Sequence, residues 1–216
     1  DDFESALHEV IKNTVKEHKR IIFNGNGYDD AWIKEATEKR GLSNLRTTPD
    51  AAKALLEKKN IDMLTLHKIF TPAEIEARYE TTLENYCKAV NIEALTMVDM
   101  VRKEILPAVE SYTGDLASTL KTKLSVVPEL SGKYEKGAIA KLSSLADEIS
   151  DAATALDLEL VKLKTVTDET EVAALIRDVV IQKMAELRVA CDEAENVTSK
   201  KYWPFPTYSD LLFGVR

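Results

Sequence analysis

The sequence predicts a mainly α protein, a long antiparallel helical bundle or hairpin with a small mixed N-terminal subregion containing one short strand. Three observations predict it. Good helix formers, Ala, Leu, Glu and Lys, dominate the 216 residues. Apolar residues recur at three- and four-residue steps over long stretches. Seven Gly and six Pro are too few for the many turns of a β-sandwich.

The totals bound what the chain can be. Its length allows one or two domains with a sizeable core. Hydrophobic residues make up 44% and charged residues 31%, as in ordinary globular proteins. The net charge is −8, and residues 61–216 carry all of it, because acids and bases balance over residues 1–60. No basic stripe appears, so nucleic acid is not an expected partner. There is no run of eighteen apolar residues and no secretory leader, so neither a membrane nor export is expected. Cys87 and Cys191 lie in helical patterns without partners at metal-site spacing, which fits free thiols in the cytoplasm. The opening Asp1-Asp2-Phe3 lacks Met and is already in helical register. That leads us to expect a piece of a longer protein.

Taken in order, residues 3–18 read as an amphipathic helix with Phe3, Leu7, Val10, Ile11 and Val15 on one face. His18, Lys19 and Arg20 load its C-terminus with positive charge, as the helix dipole favours. Ile21-Ile22-Phe23 reads as one buried strand because it is apolar and rich in β-branching. Asn24-Gly25-Asn26-Gly27 turns the chain, since Gly and Asn tolerate positive φ. Asp29 or Asp30 caps a helix over roughly 30–39, with Gly41 just past its end. Thr48 and Pro49 are placed at the N-cap and first position of a short helix. Another short segment opens at Asn60-Ile61-Asp62 and ends near Phe70.

Thr71-Pro72-Ala73-Glu74 is a strong helix start, with a cap, Pro at the first position and Glu at the third. From there Ile75, Tyr79, Leu83, Tyr86, Val90, Val98, Val101, Ile105 and Val109 keep helical spacing. Pro107 should kink or break the run, which continues through Tyr112, Leu116, Leu120 and Leu124 to Pro128. A second long helix spans about 134–164, with Ile139, Leu142, Leu145, Ile149, Ala153, Leu156, Leu160 and Leu163 inward. A third spans about 169–196, capped by Thr167 or Asp168, with Val172, Ile176, Val179, Val180, Met184, Leu187, Cys191 and Ala194 inward. Short connections make these helices antiparallel neighbours. The close, "KYWPFPTYSDLLFGV", is aromatic and held extended by two prolines, so it must dock somewhere. The expected organisation is 1–70, 71–200 and 201–216.

The residues spell no active site. The third glycine of a dinucleotide fingerprint is replaced by Asp30, and no Gly-Lys-Ser/Thr follows for a phosphate loop. His8, His18 and His67 are scattered, so no metal site is expected within the chain. Paired carboxylates such as Glu74-Glu76 and Asp147-Glu148 read as solvated faces. Glu93, in "VNIEALTMVDM", stands out among apolar neighbours. Such an acid faces an Arg, with Arg78 and Arg102 nearest on its helix, or a polar groove. No residue is assigned a catalytic role.

Three stretches together go further. "HKRIIFNGNGYDDAWIKEATEKRGLSNLRTT", "RYETTLENYCKAVNIEALTMVDMVRKEILPAV" and "YWPFPTYSDLLFGV" resemble the C-terminal portion of the type III glutamine synthetases. The resemblance implies a ligase of glutamine biosynthesis that joins ammonia to glutamate at the expense of ATP through γ-glutamyl phosphate. ATP and Mg2+ or Mn2+ are implied for that whole enzyme. None of the family's metal-ligand motifs matches a residue here, so the fragment is expected to hold no cofactor and to be inactive alone. Residues 1–70 become the end of, or join to, a catalytic domain, and the rest a helical extension.

The partners implied are that catalytic domain and the other subunits of a homo-oligomer. Asn24, Gly25, Asn26, Gly27 and Tyr28 are then candidates to stand near the nucleotide or substrate. Tyr202, Trp203, Phe205, Tyr208 and Phe213 are candidates for docking and assembly, on their own chain or on a neighbour. The competing expectations are a free-standing helical scaffold with its own binding partner, and a regulatory module with an effector groove between long helices.

Overall fold

The computed structural model describes residues 2–22 and 24–214, without the side chain of Tyr208. The chain divides into two compact units, Asp1–Arg46 and Thr47–Arg216. The boundary that the sequence suggests at 70/71 does not coincide with this division. The short helices before residue 70 carry turn signals that look like a boundary, yet they pack on the long helices that follow.

In the first unit, α1 spans Phe3–His18, and Asp2 caps it by accepting from the backbone N–H of Glu4 at 3.4 Å. A tight 3-10 turn, Lys19–Ile21, ends it. The expected strand is therefore not formed at Ile21 and Ile22, and Phe23 lies outside the described residues. No strand occurs among the described residues. A β-branched triplet favours extension, but a strand also needs a partner to take its N–H and C=O groups. Helix α2, Asp30–Lys34, runs on into a π turn over Glu35–Lys39. Gly41 follows at φ +66°, the left-handed residue that a helix end requires.

The second unit begins with α3, Thr48–Lys53, whose N-cap is Thr47 rather than Thr48 and whose second position is Pro49. Next come α4, Lys58–Leu66, and the long α5, Pro72–Met100. Thr71 and Glu74 form the expected capping box, with Glu74 accepting from the Thr71 N–H at 2.7 Å. These hydrogen bonds hold the Glu74 carboxyl below its usual pKa. The helical run does not stop at Pro107. It passes through a π turn, Val101–Ile105, in which the Leu106 N–H reaches the Val101 carbonyl, and continues as α6, Leu106–Val126. Pro107 has no N–H and its ring crowds the carbonyl of Lys103. The wider turn lying on that residue absorbs both.

Helix α7, Lys133–Leu163, is the central strut, packed against α6 on one side and α9 on the other. Leu142, Leu145, Ile149, Ala153, Leu156 and Leu160 are buried along it as the period predicts. Asp168 caps α8, Glu169–Leu175, which passes through a second π turn, Ile176–Val180, into α9, Ile181–Val197. Ile176, Val180, Leu187, Cys191 and Ala194 complete the core from this side. Ion pairs hold the register. Arg102 meets Asp157 at 2.7 Å, Lys123 meets Glu135 at 2.5 Å, and Lys141 pairs with Glu193. Arg177 ties α3 to the bundle through Asp50 at 2.7 Å.

Candidate functional site

Three surfaces carry the residues singled out from the sequence. The first is the Asn24–Tyr28 turn. The Asn26 side chain accepts from the Tyr28 N–H at 3.0 Å, and Asp29 caps α2 by accepting from the Ala31 N–H at 3.0 Å. Gly27 is not in the left-handed region, and a Cβ there would meet open space. The Asn26 side chain closes the bend at 26–28, which does not call on glycine freedom at 27. Tyr28 is 98% exposed.

The second surface, also in the first unit, is α1. Its apolar face is intact but buries nothing. Phe3 is 77% and Val10 63% exposed, and Leu7, Ile11 and Val15 are exposed as well. A stripe this regular on a helix is the pattern of a face that packs against another element.

The third surface is the tail on the bundle. Tyr202 stacks on Tyr112 with ring centres 5.2 Å apart, and its hydroxyl donates to Asp115. Trp203 and Phe205 meet edge to face at 6.2 Å and pack on the main core. These three docking candidates therefore sit on their own chain. The tail ends in α10, Tyr208–Phe213, whose Leu211, Leu212 and Phe213 project into solvent, Phe213 with 78% exposed. The side chain of Tyr208 lies outside the described set.

A capping box of Thr207 and Asp210 starts α10, and Lys200 pairs with Asp210 at 2.6 Å. The Lys200 ammonium, then the Thr207 groups, pull the Asp210 pKa down to about 2. Its contribution to the folded tail is thus present above the ordinary carboxylate range and lost as pH falls towards 2. We expect α10 to fray between about pH 4 and pH 2. Amide exchange of residues 208–213 across that range checks it, and Asp210→Asn should remove the transition.

With Trp203 and Phe205 in place, a groove of about 640 Å³ opens between α5, α9 and the tail. Met97, Met100 and Met184 line it with both rings, and Glu93 and Glu195 stand among its lining residues. Glu93 thus meets the groove rather than an Arg, because Arg102 is taken by Asp157 and Arg78 lies over Phe70 at 4.2 Å. The sequence signal was an acid in an apolar stretch. What it lacked was the tail that builds the far wall.

Neither thiol is activated. Burial raises the Cys87 pKa, and burial followed by the charge of Asp192 pushes Cys191 up to about 11. Among the described residues, no three His, Cys, Asp or Glu side chains stand together as metal ligands, so no metal-dependent step is derived from them. No helix among the described residues is long and apolar enough to cross a membrane.

The second unit is a helical domain with a tail clamped across its core, and the first unit by itself leaves one helix face open. Comparison with known proteins gives the family. The profile described as "Glutamine synthetase C-terminal domain" matches residues 6–124, and the chain belongs to that family. It is 38% identical over 216 residues to the glutamine synthetase of Butyrivibrio fibrisolvens, covering all of this chain and 31% of that protein. It is 31% identical over 214 residues to the type-3 glutamine synthetase of Dictyostelium discoideum, covering 97% of this chain and 29% of that protein. A glutamine synthetase of Bacteroides fragilis (strain YCH46) is 27% identical over 217 residues, with 97% and 29% covered. The chain therefore spans about three tenths of the length of these curated relatives.

Proposed function

We propose that the chain is the C-terminal helical part of a glutamine synthetase, and that it does no chemistry itself. It braces the catalytic domain and helps join subunits of a homo-oligomer in the cytoplasm. The reaction is the ligation of ammonia to glutamate at the expense of ATP, with Mg2+ or Mn2+ held by residues outside this chain. The observation that carries this is the open apolar face of α1, in a chain that matches about three tenths of its relatives. Such a face loses free energy in water and gains it against a partner surface. The catalytic domain covers it in this reading, and the neighbouring turn brings Asn24, Gly25, Asn26, Gly27 and Tyr28 towards the nucleotide or substrate. Tyr202, Trp203 and Phe205 brace the tail so that the exposed Leu211, Leu212 and Phe213 meet another subunit. The test is an assay of the 216-residue chain for ATP-dependent glutamine formation with Mg2+ or Mn2+. No turnover is expected, and turnover above background would overturn the non-catalytic assignment.

A further inference from the structure

The groove between α5, α9 and the tail is unused by the role proposed above and has its own chemistry. Its floor is thioether and aromatic, from Met97, Met100, Met184, Trp203 and Phe205. Unbranched, polarisable Met side chains adapt to the shape of a guest. Its volume of about 640 Å³ is that of a small-molecule site. Charge among the lining residues is lopsided, with Glu93, Asp192 and Glu195 against Arg188 alone. Asp192 already holds Arg188 at 2.5 Å. Among the described residues Glu93 and Glu195 form no hydrogen bond or close ion pair, and Glu195 reaches Arg188 only as a more distant charge. An apolar floor beside a rim of three acids and one base complements an apolar body that carries a positive charge.

We propose that this groove binds a small amphipathic organic cation, an aromatic or aliphatic body bearing an ammonium or guanidinium group. The body lies on the Met, Trp203 and Phe205 floor, where aromatic faces also favour a cation. The charged end meets Glu93 and Glu195. A neutral or anionic molecule of the same shape gains the floor but not the carboxylates.

The test is calorimetric titration of the 216-residue chain with 2-(1-naphthyl)ethylammonium and, in parallel, with naphthalene-1-acetate. Saturable one-to-one binding of the cation is expected, at least about fivefold tighter than the anion, the scale of two partly exposed ion pairs. Glu93→Gln with Glu195→Gln, both surface changes, should weaken the cation by about fivefold and leave the anion no weaker. Thr96→Trp, an exposed change in the groove lining, should remove binding while circular dichroism stays unchanged. No saturable binding would overturn the proposal. So would equal affinity for cation and anion, or indifference to the two Gln substitutions. A concentration-dependent dimer that blocks the cation, seen by sedimentation equilibrium, would instead make a second copy the occupant.

Discussion

Leu156→Ala lowers the unfolding free energy of the bundle by about 3 kcal/mol, because it removes a wholly buried side chain from the middle of α7. The cost has two parts, the lost transfer free energy and a cavity that the neighbours fill incompletely. Leu156 shares the main core with Val101, Ile105 and Ile176, which come from the two π turns on either side. Close packing at such a junction leaves little room to collapse. Leu158→Ala, two residues on and exposed, is the control, since it makes the same change in helix propensity and should shift stability by about 0.5 kcal/mol or less. Urea unfolding of both variants followed by circular dichroism decides the matter. A loss under about 1 kcal/mol at Leu156 would mean that α7 is not the central strut.

The second large effect belongs to α1. Leu7→Asp with Ile11→Asp, introduced into the whole synthetase, should lower its activity by at least about tenfold. The pair puts two charges into a face that the proposed role buries, and an unpaired buried charge is strongly disfavoured. In the 216-residue chain the same pair should leave helicity and stability nearly unchanged, because both positions are exposed there. Glutamine formation by the whole enzyme and circular dichroism of the chain give the contrast. Full activity in the double variant would show that the α1 face is not a contact.

Much of this was legible in the sequence, and the reasons are local. Leu142, Leu145, Ile149, Ala153, Leu156 and Leu160 announce α7 and its buried side because one period runs unbroken through them. Thr71 and Glu74 announce the start of α5 because a capping box is closed within four residues. What was missed depends on distant partners. Ile21 and Ile22 have strand-like side chains, but pairing requires a neighbour that no local pattern reveals, and the chain takes a 3-10 turn instead. Pro107 signalled a disturbance in the helix, but not that a π turn would carry the helix through it. The turn at 24–28 is credited in the sequence to Gly and Asn backbones that tolerate positive φ, whereas Gly27 is not left-handed and the Asn26 side chain bridges to the Tyr28 N–H. A groove between long helices is only a competing expectation of the sequence, without a place or walls, because Trp203 and Phe205 come from far along the chain to face Met97 and Met100. Only the odd placement of Glu93 hinted at it.

The central claim is that these residues support an enzyme whose chemistry lies elsewhere. Its most direct test is removal of residues 47–216 from the whole synthetase, a cut at the boundary between the two compact units that leaves α1 in place. Particle size by sedimentation velocity and glutamine formation are then measured on the same preparation. The account predicts a smaller assembly with reduced activity. A particle with its full complement of subunits and undiminished turnover would contradict it.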